Sequence, residues 1–297
     1  MADWDDLRIF LAVARGESLS AAGRLVRLDP ATVGRRIARL EEALGARLFL
    51  RSPQGYGLTA AGERLMSHAL RTEQAVIGAL EELRGAPGSL TGQIRIGAPD
   101  GVANYLLPQV VAAICDANPG LEVQIVALPR VFNLSKREAD MAIAVSRPAA
   151  GRLVAQKLTD YRLHLAAARD YLARHPPIRD LADLAGHRMI GYIPDLIFDS
   201  ELDYLAAAGV ETVALASNSV SVQFNWLRLG AGVAIVHDFA LPAAPDLVRI
   251  LPDALSLSRS FYLIRHADDR RNERLNRFAE LLVLAVRRET QRLEALA

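Results

Sequence analysis

Cys115 is the only cysteine in 297 residues, which excludes an intrachain disulfide and a thiolate metal cluster. No apolar run approaches the roughly 20 residues that a membrane-spanning helix needs, so no membrane partner is expected. The start, Met1-Ala2-Asp3-Trp4-Asp5-Asp6, is acidic and lacks the basic and apolar regions of a secretory signal; the expected location is cytoplasmic. Neither sign of charge dominates. A net charge of +1 provides no global field toward nucleic acid, so any such attraction must be local. Catalytic signals are equally scarce. The six histidines show no metal spacing, and no Gly-x-Ser-x-Gly elbow occurs. Gly230-Ala231-Gly232 follows an expected helix and precedes an expected strand, the reverse of a dinucleotide loop. Cys115 lies among Val110, Val111 and Ile114 and reads as core, and His237-Asp238 has no evident nucleophile. No catalytic residue, metal or cofactor is expected.

Present instead is a patterned stretch from Ser18 to Thr59. Asp29 suits a helix N-cap and Pro30 the first helical position, where a missing N–H costs nothing. Val33, Ile37, Leu40 and Leu44 then form one apolar stripe, while Thr32, Arg35, Arg36 and Arg39 form a second, basic one. Upstream, Ser20 is the expected cap of a short helix from Ala21 to Arg27, with Ala22 and Gly23 allowing close approach of the next helix. Two short helices joined tightly, the second with a basic face, read as a helix-turn-helix. After Gly45, Leu48-Phe49-Leu50 and Tyr56-Gly57-Leu58 flank the turn residues Arg51-Ser52-Pro53-Gln54-Gly55, which predicts a hairpin wing. The local charge supports DNA: Arg24, Arg27, Arg35, Arg36, Arg39, Arg47 and Arg51 face Asp29, Glu41 and Glu42 there. The competing reading is a solvated face paired with Glu41 and Glu42.

The runs Ser18-Leu19-Ser20-Ala21-Ala22, Val33-Gly34-Arg35-Arg36-Ile37-Ala38-Arg39-Leu40-Glu41, Leu44-Gly45-Ala46-Arg47-Leu48-Phe49 and Leu58-Thr59-Ala60-Ala61-Gly62 together resemble the LysR-type transcriptional regulators. The resemblance is close over this region and looser over the whole length. Asp29-Pro30-Ala31 stands where that family often has Ser-Gln-Pro, so a glutamine able to read adenine is missing, and Gly34 replaces a frequent serine. The residues expected at the DNA are Ser20, Asp29, Pro30, Ala31, Thr32, Gly34, Arg35, Arg36, Arg39, Arg51 and Thr59.

The chain around this stretch organises as follows. Leu7, Phe10, Leu11 and Ala14 predict a supporting first helix ending near Gly16. From Thr59 to Arg84 there is no proline, and Leu65, Ala69, Thr72, Val76, Ala79 and Leu83 make a seam alternating four and three. At ~1.5 Å per residue this helix is roughly 39 Å long, more than a small domain needs. The preferred reading is a dimerising linker, which the resemblance also implies; the alternative is a helix lying on its own domain. Gly85-Ala86-Pro87-Gly88-Ser89 then reads as a hinge.

Strands are expected at Gln93–Gly97, Leu121–Ala127, Met141–Val145, Leu163–Ala168, Met189–Tyr192, Glu211–Ala216, Val233–Val236 and Phe261–Arg265. Helices are expected at Val102–Asn118, Val131–Glu138, Ser200–Ala208, Ser219–Leu229 and from Arg271. This alternation predicts α/β lobes with parallel sheets covered on both faces. The fold class is thus α/β with an N-terminal winged helix-turn-helix (1–58), a linker helix and hinge (59–88) and an effector domain (89–297). The resemblance makes that last domain two-lobed, Rossmann-like and similar to periplasmic binding proteins. Lobe I then covers about 92–160 and 267–297 and lobe II about 161–266, with crossings near Thr159–Arg162 and Arg265–Ala267.

Because open α/β sheets bind ligands at the carboxyl ends of their strands, the expected effector contacts are Pro99, Asp100, Gly101, Val102, Pro129, Arg130, Ser146, Arg147, Tyr192, Ile193, Ser217, Asn218 and His237. Regulators of this family commonly place serine or threonine after the first effector-domain strand to receive a ligand carboxylate. Here Asp100 occupies that region, either capping the helix near Val102 or touching ligand, and its charge repels an anion, although Arg130 and Arg147 offer compensation. The effector is therefore expected to be neutral or cationic at that end, or control by a small molecule has been lost. The resulting expectation is a sequence-specific regulator that binds double-stranded operator DNA of approximate two-fold symmetry as a homodimer or homotetramer and responds to a small molecule. The alternatives are a solute-binding α/β protein and an enzyme with a regulatory winged helix.

Overall fold

The computed structural model of the chain describes residues 3–52, 55–84, 90–127, 139–148, 152–210 and 212–297. They fall into two compact units, Met1–Pro87 and Gly88–Ala297.

The first unit contains α1 (Trp4–Gly16), α2 (Leu19–Val26), α3 (Pro30–Leu44), the antiparallel hairpin β1 (Phe49–Ser52) and β2 (Gly55–Leu58), and α4 (Ala60–Arg84). Each of the first three helices starts on an acceptor side chain. Asp3, Ser18 and Asp29 accept the N–H groups of Asp6, Ala21 and Thr32. The cap of α2 is therefore Ser18 rather than Ser20, which lies exposed on the helix. Ile9, Phe10, Leu11, Val13, Val33, Ile37, Leu40 and Leu48 form the buried core. Leu44, expected in the same stripe, is 43% exposed, because the last turn of α3 runs past that core before Gly45 ends it at φ +63°. Along α4, Ala69 and Leu70 are buried in this core and Leu65 and Met66 pack against it. The first part of the expected seam thus lies on its own unit. Val76 is half-buried; the side chains of Ala79 and Leu83, the hinge 85–89 and the wing tip at 53 and 54 lie outside the described residues.

The second unit is organised by one mixed sheet. Its strands are β3 (Gly92–Ala98), β4 (Leu121–Ala127), β5 (Met141–Ala144), β6 (Leu153–Ala168), β7 (Met189–Gly191), β8 (Leu215–Ala216), β9 (Val233–His237), β10 (Leu247–Arg249) and β11 (Ser256–His266). They are ordered β4-β3-β5-β11-β6-β9-β7-β8, with β10 also on β6. β3 is parallel to β4 and β5, and β7 to β8 and β9, as expected within each half. Against the expected all-parallel lobes, β6 and β11 run antiparallel to each other and to their other neighbours. They are long because both serve both halves. β6 starts ten residues earlier than expected, and Tyr262–Arg265 of β11 still pairs with β5. The passage between halves therefore falls at the bulge where Leu158 is skipped between Phe261 and Tyr262, not at Arg265–Ala267.

The helices are α5 (Asp100–Tyr105), α6 (Leu107–Asp116), α7 (Arg169–Arg174), α8 (Val220–Arg228) and α9 (Glu273–Glu294). The single helix expected over Val102–Asn118 is split at Leu106, where Pro108 opens the next helix without an N–H to offer. The helix expected at Ser200–Ala208 is two short 3-10 turns, Ser200–Leu202 and Ala206–Ala208. The expected strand to Ala216 shortens to Leu215–Ala216, and the helix expected at 131–138 lies outside the described residues. Cys115 is half-buried at the edge of the core, where burial pushes its thiol up. Among the described residues, no helix is long and apolar enough to cross a membrane.

Gly62 shows how tightly the wing meets α4. A Cβ there would sit 2.2 Å from the Leu48 carbonyl oxygen, itself the acceptor of the Thr59 N–H. Alanine is normally the better helix former by ~1 kcal/mol. Gly62→Ala is nonetheless expected to destabilise the first unit by about 1–3 kcal/mol, the cost of overpacking. Thermal unfolding followed by circular dichroism checks this; a raised melting temperature would contradict the packing described.

Candidate nucleic-acid interface and effector cleft

Exposed residues of α3 make the candidate interface. Pro30 and Ala31 are exposed at its start, and the Arg35 Nη2 donates to Thr32 Oγ1 at 2.7 Å. Asp29, as cap, has its carboxyl held below the usual range by the Thr32 hydrogen bonds. Arg24, Arg27 and Arg35 carry no ion pair among the described residues. Arg36 and Arg39 do. Both reach back to α1, where Asp6 is buried: Arg36 Nη1 lies 3.2 Å from Asp6 and 3.0 Å from Asp5, and Arg39 also donates to Asp6. Burial pushes the Asp6 carboxyl up, but the hydrogen bonds from Arg39 and Arg36 outweigh that and hold it below the ordinary range. Half of the expected basic stripe is thus tied to the scaffold. Asp5 and Asp6 were missed because an acidic start read only as the absence of a signal.

Glu41 is no surface counter-ion. It is buried and accepts from the Leu48 and Phe49 N–H groups and from Arg47, fixing the entry to the wing. Arg51 lies with its guanidinium carbon 5.6 Å from the Tyr56 ring centre. The wing is pinned by the Tyr56 N–H donating to the Glu17 carbonyl at 2.8 Å. Two expected DNA residues have structural tasks: Thr59 Oγ1 donates to the Arg47 carbonyl and accepts the Gly62 N–H, and a Cβ on Gly34 would meet Leu19 at 3.2 Å.

The candidate effector cleft lies between the two halves of the second unit. Asp100 does not cap its own helix. Its Oδ2 accepts the Ser219 hydroxyl at 2.9 Å and the Ser221 N–H at 2.8 Å, so it caps α8 across the cleft, while Oδ1 accepts from Asn104 at 3.0 Å. That places a carboxylate at a helix N-terminus, where the unpaired N–H groups favour an anion. A second tie crosses from Ser146, whose hydroxyl donates to Asp199. Ser217 accepts the Ser219 N–H on its hydroxyl and the Gln223 amide on its carbonyl. Tyr192, Ile193 and Asn218 are half-buried nearby in sequence, and Arg147 extends over the Tyr262 ring at 5.2 Å. Pro99 is half-buried at the start of α5. Pro129 and Arg130 lie outside the described residues.

Three expected contacts are packing instead. Val102 is core, Gly101 is buried where a Cβ would meet His237 at 3.1 Å and Val220 at 3.2 Å, and His237 is buried beneath them. His237 sits among Tyr161, Tyr204 and Phe239, with ring centres 5.2, 6.1 and 4.9 Å away. Burial drives its imidazole down to about 4, with Asp100 opposing weakly. His237 and Asp238 do not work as a pair. Asp238 is fully buried and holds His164 Nδ1 at 2.8 Å and Arg249 at 3.3 Å. No group of three metal-ligating side chains occurs among the described residues.

The fold and these two sites define a winged helix-turn-helix protein joined to an α/β ligand-binding unit. Residues 4–63 match the bacterial regulatory helix-turn-helix protein, lysR family, and residues 87–286 match the LysR substrate binding domain. The chain belongs to the LysR family: it is a LysR-type transcriptional regulator with a DNA-binding helix-turn-helix and an effector-binding domain. It is 30% identical to the HTH-type transcriptional regulator PtxR of Pseudomonas aeruginosa, over 83% of this chain and 81% of that one. Full-length OxyR from Pseudomonas aeruginosa superposes with a TM-score of 0.70 at 18% identity, covering 97% of this chain and 98% of that one. Full-length LysG from Corynebacterium glutamicum, solved with its effector arginine bound, gives 0.65 at 17% identity, covering 96% and 98%. Likenesses at such identity speak for the fold.

Two expectations follow. Asp6→Asn removes the charge that ties Arg36 and Arg39, at a stability cost of about 1 kcal/mol because both guanidiniums are partly solvated. Non-specific DNA affinity should rise and its salt dependence steepen by as much as about two phosphate contacts. Anisotropy titrations at several salt concentrations read this; an unchanged slope would mean the arginines never reach phosphate. For His237, a folded value near 4 against an ordinary 6.5 leaves the unfolded chain binding the extra proton between those values. Stability of the second unit should therefore be complete above about pH 6.5 and fall by about 3 kcal/mol toward pH 4. Denaturant titrations should show that loss in wild type and its absence in His237→Gln.

Proposed function

We propose that this regulator works as a homodimer or homotetramer whose two winged helices dock on an operator of approximate two-fold symmetry in the cytoplasm. The working parts are the winged helix over 1–58, the linker over 59–88 and the effector domain over 89–297. Arg35, with Thr32, Ala31 and Pro30, reads the major groove, and Arg51 on the wing reaches backbone or minor groove. Arg36 and Arg39 are reserve contacts that exchange Asp6 for phosphate. The observation carrying this reading is Arg35: it is exposed on a capped helix, in no close ion pair among the described residues although the charge of Asp29 is near, and hydrogen-bonded to Thr32.

A small molecule held between the halves of the second unit then shifts the placement of the winged helices. Asp100, Ser146, Arg147, Tyr192, Ile193, Ser217 and Asn218 frame that cleft, and Pro129 and Arg130 belong to the same proposal. LysG takes arginine, a carboxylate-bearing effector. In this chain Asp100 already supplies a carboxylate to the α8 N-terminus, which supports an effector that is neutral or cationic at that end.

Sequencing the DNA fragments that co-purify with the protein from its native host tests the regulator reading directly. Enrichment of a few sites with imperfect inverted symmetry is expected. On such a site, Arg35→Ala should cost about 1–3 kcal/mol. Uniform recovery of bulk DNA, or full affinity in Arg35→Ala, would overturn the docking proposed.

A further inference from the structure

The polar positions at the mouth of the cleft are filled by the protein itself: Asp100 covers the α8 N-terminus and Asp199 takes the Ser146 hydroxyl. Space remains elsewhere. Beside the mouth, in the half built on β7 and β9, lies a half-open pocket of about 200 Å³ walled by Ile190, Tyr192, Ile197, Leu202, Leu205 and Val213, with Pro194, Asp203 and Ala206 exposed at its rim. This exceeds the roughly 150 Å³ apolar cavity that accepts a benzene ring. Polar groups at its wall are few: the Tyr192 and Tyr204 phenols, the Gln223 amide and, at an exposed position, Asp203. The phenols stay neutral, since burial raises both Tyr192 and Tyr204 far above the ordinary value. Gln223 is committed through its Nε2 to the Ser217 carbonyl at 2.7 Å. The described wall therefore holds no cation to meet a carboxylate, and its single carboxylate, Asp203, lies exposed where water screens its pull on an ammonium.

We propose that the effector of this regulator is an uncharged, mostly apolar small molecule about the size of one substituted aromatic ring, bound in this cavity instead of at the polar mouth. The proposal rests on the reading of the chain as effector-responsive, but moves the effector from the space between the halves into one half and gives it a chemical class. The site is wired to the cleft. Ile197 and Leu202, which wall the cavity, flank Asp199, the acceptor of the Ser146 hydroxyl from the opposite half and of the Glu201 N–H. A ring pressed against this segment moves the acceptor that joins the halves, so occupancy changes how they are held together.

Three matched probes decide the matter on the full-length chain: 4-fluorobenzyl alcohol, 4-fluorobenzoate and 4-fluorobenzylamine, followed by fluorine NMR titration and by melting temperature. The alcohol should bind and raise the melting temperature of wild type, and the two ions should do neither. Leu205→Trp and Val213→Phe, which fill the cavity from different walls, should each weaken the alcohol by about tenfold or more while melting cooperatively. In Asp100→Ser the benzoate should gain binding, whereas the alcohol should bind as before. Benzoate or the amine binding wild type as tightly as the alcohol would overturn the proposal, as would an alcohol indifferent to both filled variants or failure of all three probes. Failure of the regulator reading looks different: operator capture by the probe-free protein would be lost while alcohol binding persisted.

Discussion

Everything in the second unit depends on the antiparallel pairing of β6 with β11, which runs from Ser256 opposite His164 to His266 opposite Leu153. Each half of the sheet is hung on this ribbon, β5 on one stretch of β11 and β9 on one stretch of β6. Because the same two strands belong to both halves, relative motion has to pass through their backbone. The bulge at Leu158 is the place where the ladder already yields, since an extra residue locally loosens pairing and increases twist. Beside it Tyr161 stacks on Phe261 with ring centres 4.0 Å apart, in contact with His237 and Phe239. The bulge is thus bordered by packed aromatic rings, and at the mouth of the cleft Asp100 ties one half to the other.

Much of this architecture was legible in the sequence, for identifiable reasons. The winged helix announced itself through local chemistry: an aspartate cap, a proline at the first helical position, stripes at helical spacing, glycines at turns. Those signals act within a few residues and survive folding unchanged. The parallel core strands were visible as apolar runs. What escaped was whatever depends on distant partners. The first ten residues of β6 show no clean alternation, with Gln156 and Lys157 both exposed and Leu158 and Thr159 both buried, and their partners on β11 are about a hundred residues away. Asp6 meets Arg36 and Arg39 thirty or more positions on, so no window that spots an amphipathic helix includes both sides of the contact. The start of the seam on α4 is ambiguous for the same reason, because Leu65 and Ala69 fit a dimer interface and the core of their own unit equally well.

At the candidate sites, residue types were easier to foresee than their states. Asp100 is expected from its position to cap its own helix or to touch ligand. Its actual partner, the N-terminus of α8, lies 121 positions away and could not be read from the residues next to it. His237 was placed near the cleft by its strand end, yet Gly101 lets α5 approach so closely that the imidazole is sealed beneath it. A strand end marks where a ligand site forms, but packing depth decides which of its side chains a ligand can touch.

The two functional ends of the molecule share one physical device. At the winged helix, Asp6 sits where a DNA phosphate would neutralise Arg36 and Arg39; at the cleft, Asp100 sits where a ligand carboxylate would meet the α8 N-terminus. The consequences differ because the surroundings differ. Arg36 and Arg39 keep 32% and 56% of their side-chain surface in solvent, and DNA presents many phosphates at once with counterions to release. An exchange of Asp6 for phosphate there would be graded by salt. Asp100 is a single half-buried carboxylate held by Ser219, Ser221 and Asn104 together, so one competing monoanion must break three hydrogen bonds and then face the displaced charge. An internal carboxylate thus stands beside partly solvated arginines at one end and is held by three hydrogen bonds at the other.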